Sequence, residues 1–141
     1  MANSKERDGS YCLSWCPSRL HPAMLAVGCG RENCVRIYRY KDQNRKWMPA
    51  VTLPHPDVVH DVAWAPNIGR SFHLIATACR DGIVRIWRVK DDVASEPVEF
   101  NDHQAEVWRV SWNVTGTVLA SSGDDGKVRL YKGTMSVLWL A

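Results

Sequence analysis

The chain has 141 residues, the length of about one domain. Hydrophobic residues make up 45% of it and charged residues 23%, which excludes a disordered or fibrous chain. The net charge of +3 is too small to indicate a nucleic-acid binder by charge alone. No apolar run reaches the roughly 18 residues of a membrane-spanning helix, and none follows the N-terminal residues as in a secretory signal. We therefore expect an intracellular chain.

The five cysteines are an odd number, which without an export signal indicates free thiols in a reducing compartment. The alternative is a zinc site formed by the first four cysteines. Zinc ligands usually occur as cysteine pairs with two intervening residues, and neither pair here has that spacing. We expect structural cysteines, no metal and no cofactor. The cysteines are Cys12, Cys16, Cys29, Cys34 and Cys79. A glycosylation triplet at Asn113 would stay unused without secretion.

In chain order, the predicted elements form a unit that occurs three times. The first block of the unit is YCLSWCP at residues 11–17, HDVAWAP at 60–66 and WRVSWNV at 108–114. Trp15, Trp64 and Trp112 hold the same place in these blocks, at intervals of 49 and 48 residues. A period of this length, made of short apolar runs, indicates repeated small sheets.

Two further blocks complete each unit. The second is LAVG at residues 25–28, LIAT at 74–77 and LASS at 119–122, and the third is VRIY at 35–38, VRIW at 84–87 and VRLY at 128–131. Apolar and polar residues alternate in the third block, as in a half-buried strand. Asp-Gly pairs at 81–82 and 125–126 are hairpin signals. We predict an all-β chain of about three four-stranded antiparallel sheets.

Four polar or aromatic positions recur with matching spacing in the last two units. A His stands nine residues before the Trp of the first block, a Ser or Thr stands four residues before an Asp, and that Asp stands six before an aromatic residue. This pattern resembles the WD-repeat β-propeller family. The residues are His55, Thr77, Asp81 and Trp87 in the second unit, and His103, Ser121, Asp125 and Tyr131 in the third.

The resemblance implies that these side chains form a structural hydrogen-bond network running from Trp through Ser or Thr and His to Asp. Tyr131 stands where Trp is usual, which leaves the third network incomplete at that end. The first unit has Glu6, Gly28 and Glu32 at the corresponding places, so we expect it to lack the network.

The same residue types invite a catalytic interpretation. Ser121, His103 and Asp125 have the composition of a hydrolase triad. The set recurs at the same repeat positions in the second unit, which a single active site would not do, so we predict no catalytic residue.

We assign structural or solvent-facing roles to the other polar and glycine positions. We interpret His21, His60 and His73 as solvent-facing or capping side chains rather than metal ligands, and the glycines of residues 28–30 as part of a turn. For the repeated Arg36, Arg85 and Arg129, a solvated strand face is favoured over a stripe for an acidic partner.

The resemblance divides the chain into a flexible N-terminus (1–10), a blade-like repeat without the network (11–54), a WD repeat (55–102) and a WD repeat with a divergent tail (103–141). Residues 137–140 are expected to form the outer strand of the last blade. Three blades are fewer than the roughly four to eight of a closed ring, so an incomplete propeller is expected, about half of a larger protein.

A closer resemblance covers residues 11–132 and is carried by residues 65–74, 100–103 and 107–126. These stretches are similar to the C-terminal half of the SEH-type nucleoporins. The resemblance implies a non-enzymatic scaffold of the nuclear pore Y-shaped complex, with roles in pore assembly and in protein and mRNA transport. It also implies a part in the GATOR-type complex of amino-acid and TORC signalling.

The implied partners are helical-solenoid scaffold proteins that donate a blade, without nucleic acid, membrane insertion or a small-molecule substrate. The implied locations are the nuclear envelope and the cytosolic face of the lysosome. Two alternatives stay open. Residues 107–112 are shared with the COPII vesicle-coat subunit of the same family, and a generic WD-repeat interaction adaptor would carry the same repeats.

Overall fold

Three antiparallel β-sheets follow one another along the chain. The computed structural model describes residues 9–19, 22–67, 69–133 and 139–140, with the backbone alone described for the last two. Within these ranges no helix is present, and so none that is long and apolar enough to cross a membrane. The predicted all-β fold class is confirmed.

The first sheet has four strands in sequential order. They are β1 (Ser10–Trp15), β2 (Met24–Cys29), β3 (Cys34–Lys41) and β4 (Lys46–Pro54). Alternate residues of β2 are buried and half-buried, as its apolar pattern predicts. The turn from β2 to β3 contains Asn33 at φ 49°, a left-handed conformation that Asn tolerates better than most residues.

The second sheet has five strands because two short segments pair with the same neighbour. Its strands are β5 (Val59–Trp64), β6 (His73–Cys79), β7 (Val84–Lys90), β8 (Val93–Ala94) and β9 (Val98–Phe100). Both β8 and β9 pair with β7. A tight turn between β7 and β8 contains Asp91 and Asp92, both at positive φ. The prediction of four strands is therefore confirmed for the other two sheets, whereas this sheet has one strand more than predicted.

The third sheet has strands β10 (Val107–Trp112), β11 (Val118–Gly123), β12 (Val128–Gly133) and β13 (Trp139–Leu140). Of the outer strand predicted at 137–140, residues 139 and 140 pair with β12, and residues 137 and 138 lie outside the described residues. Residues 1–8 of the predicted flexible N-terminus also lie outside the described residues.

The sheets pack face to face, and the second is covered on both sides. One core cluster joins the first and second sheets, and a second cluster joins the second and third. The first strands of the three sheets, β1, β5 and β10, lie beside one another. Each contains a register shift at its start, between Ser10 and Cys12, Val59 and Asp61, and Val107 and Arg109. The repeat in sequence is therefore also a repeat in backbone geometry.

One hairpin glycine is required by both conformation and space. Gly82 adopts φ +86°, and a Cβ built on it would lie 2.9 Å from the carbonyl oxygen of Ala105. Gly126 has the corresponding place in the third sheet, at φ +71°, with open space around it. The Asp-Gly hairpin signal thus has a conformational cause in both sheets and a packing cause in one.

Candidate functional site

The imidazole of His103 connects two elements of the third sheet. Its Nδ1 lies 2.9 Å from Oδ2 of Asp125, in the hairpin after β11, and its Nε2 lies 2.7 Å from Oγ of Ser121 on β11. In the neutral imidazole, Nδ1–H donates to the carboxylate and the Ser121 hydroxyl donates to Nε2. The hydrogen bond from His103 keeps the pKa of Asp125 below its usual value. The loop before β10 is thereby tied to the β11–β12 hairpin.

The second sheet has a similar series of hydrogen bonds, but its last acceptor is a backbone carbonyl. The Trp87 indole donates to Thr77 Oγ1 at 3.2 Å, and Thr77 Oγ1 lies 2.8 Å from His55 Nε2. His55 Nδ1 then lies 3.0 Å from the carbonyl oxygen of Leu53 instead of a carboxylate. Burial lowers the pKa of His55 to about 4, so the ring is neutral near pH 7 and its Nδ1–H can donate to that carbonyl.

Asp81 does not join the hydrogen-bond network in which it was expected. Its Oδ2 accepts from Arg85 Nη2 at 2.6 Å and its Oδ1 accepts from the Ile83 amide at 3.0 Å. Arg85 Nε also donates to Glu99 at 3.1 Å. Burial opposes ionisation of Asp81, but these donors outweigh it and keep its pKa below the usual value. The carboxylate of Asp81 is thus held by Arg85, and His55 pairs with a backbone carbonyl.

The buried Arg85 corrects the interpretation of the repeated arginines as a solvated face. Only 5% of the Arg85 side chain is exposed, whereas the side chains of Arg36 and Arg129 are about one-third exposed. Arg36 pairs with Glu32 in the same hairpin. Arg129 lies 3.4 Å from Asp125, so each arginine lies beside an acid four residues earlier.

Tyr131 fills the Trp position of the third sheet without making the Trp hydrogen bond. The side chain is fully buried and its ring lies 4.4 Å from that of Phe100. Among the described residues, the Tyr131 hydroxyl has no well-formed hydrogen bond. Burial raises the pKa of this phenol. The expected incompleteness of the third network lies at this end.

The first sheet replaces the polar position by an apolar one. Pairing with β1 places Val27, rather than Gly28, at the position of Thr77 and Ser121. The expectation for Gly28 was one residue off because Val27 lies nine residues before its strand partner Arg36, whereas Thr77 and Ser121 lie eight residues before Arg85 and Arg129. Glu6 lies outside the described residues.

Ser121, His103 and Asp125 contact one another as in a hydrolase triad, but a substrate could not reach them. Ser121 is 2% exposed and His103 is 4% exposed. A nucleophile must reach its substrate, and an oxygen at this depth cannot do so without opening the sheet. The trio therefore fits a role in holding strands and loop together.

The five cysteines are free thiols, and three of them are held in the unreactive thiol form. Burial raises the pKa of Cys12 to about 12 and those of Cys34 and Cys79 to about 11, so the thiolate form is disfavoured. Within the described ranges, no three His, Cys, Asp or Glu side chains are grouped as a metal site.

Two of the histidines interpreted as solvent-facing are tied to other side chains. His60 stacks on Trp108 at 3.9 Å between ring centroids, and its Nε2 lies 3.1 Å from Glu106. His73 Nδ1 accepts from the Trp64 indole at 3.4 Å. His21 lies outside the described residues.

Sequence reasoning missed a pocket at the start of the first strands. It has a volume of about 350 Å³ and is lined by Tyr11, Val58, His60, Arg80, Glu106 and Trp108. Three of these, Tyr11, His60 and Trp108, open the first block of the three units. Their shared repeat position was the available signal.

The two outermost sheet faces expose apolar side chains. Leu13 and Trp15 are exposed on the first sheet, and Val128 and Leu130 on the third. Trp15, Leu25, Val27, Tyr38 and Trp47 line an apolar groove of about 290 Å³. Exposed apolar patches of this kind mark interaction surfaces.

The fold and the buried networks define a class of protein. The family model described as "WD domain, G-beta repeat" matches residues 47–88 and 95–132, and the chain belongs to this family of β-propeller proteins. Among its curated relatives, the chain is similar to proteins named as SEH1 nucleoporins, which confirms the expected resemblance to that type.

Nucleoporin seh1 of Schizosaccharomyces pombe is 38% identical over 96% of this chain and 47% of its own length. Nucleoporin SEH1-A of Xenopus laevis is 45% identical, and Nucleoporin SEH1 of Homo sapiens 44%, each over 91% of this chain and 41% of its own length. The chain spans less than half the length of these relatives.

Proposed function

We propose that this chain is a non-enzymatic WD-repeat scaffold subunit of the nuclear pore Y-shaped complex, acting in pore assembly and in transport between nucleus and cytoplasm. The observation that carries the proposal is the similarity of more than nine-tenths of the chain to proteins named as nucleoporins. The proposed matching region is the C-terminal half of such a protein. Its blades would be residues 11–54, 55–102 and 103–141, after a flexible segment at 1–10.

The proposed partners are helical-solenoid scaffold proteins that donate a blade. The exposed faces of the first and third sheets support this, because a donated sheet would bury them and its backbone would pair with an open strand edge. The proposed location is the nuclear envelope. A second role, in the GATOR-type complex of TORC signalling at the lysosome, rests on the same faces.

The depth of the polar groups supports a role without catalysis. Ser121 and Thr77 are 2% and 0% exposed, and their hydroxyls bond to His103 and His55. Labelling of Ser121 by a fluorophosphonate probe in the folded chain would contradict this part of the proposal.

Affinity purification of the tagged chain from cells tests the partners. We expect recovery of solenoid nucleoporins or of nutrient-signalling subunits, and loss of both with Trp15→Asp, which places a charge on the uncovered first-sheet face. Val114→Asp is the matched control, because Val114 is exposed on the β10–β11 connection away from that face. Recovery of COPII cage proteins, or of neither class, would overturn the proposal.

A further inference from the structure

Three β-bulges place aromatic side chains around the pocket of about 350 Å³ at the start of the first strands. In each first strand, the pairing with the next strand skips the second residue, which leaves that residue out of the ladder. A β-bulge turns the side chain of the extra residue in a new direction, and such bulges are common beside functional sites. The residues that the pairing skips are Tyr11, His60 and Trp108.

A recurring backbone hydrogen bond builds the rest of the pocket wall. In each sheet, the amide that follows the second strand donates to the carbonyl two residues before the bulge, at 2.9 or 3.0 Å. The donors are Gly30, Arg80 and Asp124, and the acceptors are Gly9, Val58 and Glu106. These positions repeat in place but not in residue type, unlike His55 and His103 of the buried networks. The fold therefore determines where these side chains stand and leaves their chemistry free to suit a ligand.

The aromatic rings of the pocket are held in place before any ligand binds. The imidazole of His60 stacks on the Trp108 indole, with 3.9 Å between ring centroids and 16° between planes. The Trp108 Nε1–H donates to Oδ1 of Asp124 at 2.7 Å. Tyr11 packs against Gly30, where a Cβ would lie 2.6 Å from a ring carbon. Tyr11 and Trp108 are nevertheless 64% and 46% exposed, so a ligand can reach their rings.

The charges at the pocket favour a cation. Glu106 Oε2 lies 3.1 Å from Nε2 of His60, whereas its Oε1 lies 3.6 Å from Nε of Arg80, which is longer than a hydrogen bond. Oε1 can therefore accept from a further donor. Asp124 adds a second carboxylate beside the Trp108 ring. The Arg80 side chain is 57% exposed, so water screens its charge. Two carboxylates and one guanidinium leave negative charge in excess beside the aromatic rings.

We propose that this pocket binds an arginine side chain of a partner peptide. A guanidinium is planar and weakly hydrated, so it stacks on an aromatic ring while its N–H groups donate to Oε1 of Glu106. A lysine ammonium is a strongly hydrated point charge and gains less from the rings. The pocket volume lies at the lower end of the roughly 300–1,000 Å³ of ligand pockets, which suits one side chain and its flanking backbone. The walls come from all three sheets, and the proposed function assigns its partners to other surfaces.

Titration of the full chain with a blocked Gly-Arg-Gly tripeptide, followed by the NMR signals of the tryptophan indole N–H groups, tests the binding. The Trp108 signal is identified by its loss in Trp108→Phe. We expect this signal to shift saturably, with a dissociation constant in the millimolar range. The citrulline tripeptide has the same shape without the charge and should bind at least about tenfold more weakly. The lysine tripeptide should bind at least about threefold more weakly than the arginine one.

Two substitutions at the pocket mouth separate a cation site from an anion site. Glu106→Gln should weaken arginine binding about three- to tenfold, because it removes the charge of the acceptor. Glu96→Gln is the matched control, since it removes the same charge from the exposed β8–β9 connection and should leave binding unchanged. Arg80→Gln removes a like charge and should leave binding equal or tighter. Far-UV circular dichroism verifies that each variant is folded.

Several results would overturn the proposal. The Trp108 signal could stay in place with the arginine tripeptide, which would mean that the pocket does not bind it. Equal binding of the citrulline tripeptide would indicate stacking without recognition of charge, and equal binding of the lysine tripeptide would indicate charge without stacking. Tighter binding of an aspartate tripeptide, abolished by Arg80→Gln, would indicate an anion site.

Discussion

The neutral, buried imidazole of His55 makes the stability of the chain depend on pH. Burial lowers its pKa from 6.5 to about 4, with Arg85 acting in the same direction and the Leu53 carbonyl, Asp81 and Glu99 opposing it. The unfolded chain therefore binds more protons than the folded chain between these two pH values. Stability from this residue is fully present above pH 6.5 and is lost as the pH falls through that range to the folded pKa.

The size of the effect follows from the shift. One pKa unit corresponds to about 1.4 kcal/mol, so the whole contribution of His55 is about 3 kcal/mol, of which about 2 kcal/mol is lost between roughly pH 7.5 and pH 5. His55→Gln removes this titration and keeps a neutral polar side chain. We expect the variant to be less stable at the higher pH and to lose less stability on acidification than the wild type.

Urea unfolding followed by tryptophan fluorescence, extrapolated to water at both pH values, measures the two losses. The difference between wild type and variant isolates His55, because the other titrating groups are present in both. Equal losses in the two proteins would show that His55 is not held neutral by burial, and the reasoning would then be wrong.

The remaining predictions concern stability at neutral pH. His103→Ala removes two side-chain hydrogen bonds and should lower the free energy of unfolding by about 1–3 kcal/mol in urea titration. Trp87→Phe loses a buried hydrogen bond and should lower the free energy of unfolding by at least about 1 kcal/mol. Tyr131→Phe removes a hydroxyl without a well-formed hydrogen bond, so it should lower this free energy by less than about 0.5 kcal/mol in the same assay. Gly82→Ala, strained and blocked by the Ala105 carbonyl, should lower the melting temperature further than Gly126→Ala, which is strained alone.

Each of these has an outcome that contradicts it. An unchanged unfolding curve for His103→Ala would show that the network adds nothing to stability. A larger loss for Tyr131→Phe than for Trp87→Phe would mean that the Tyr131 hydroxyl is bonded after all. Equal melting temperatures for the two glycine variants would show that the loop at Ala105 moves aside at no cost.

The strands were predictable because their signals are local. Alternation in residues 84–89 and the Asp-Gly pairs require only the period of a strand and the conformation of a turn. The resemblance to the family implied the contacts that His103 makes with Ser121 and Asp125. Asp81 was misassigned because its carboxylate pairs with Arg85. Asp125 bonds His103 although Arg129 has the same repeat position, so spacing does not distinguish the two cases.

By itself, the amino-acid sequence determined the class of fold and the repeat, since apolar period and turn residues act within one unit. Tertiary structure alone decided which equivalent residues are buried. Leu13 and Val62 occupy the same repeat position, yet only Val62 has a neighbouring sheet over it. Burial depends on what packs against a face, and that information lies in another part of the chain or in another molecule.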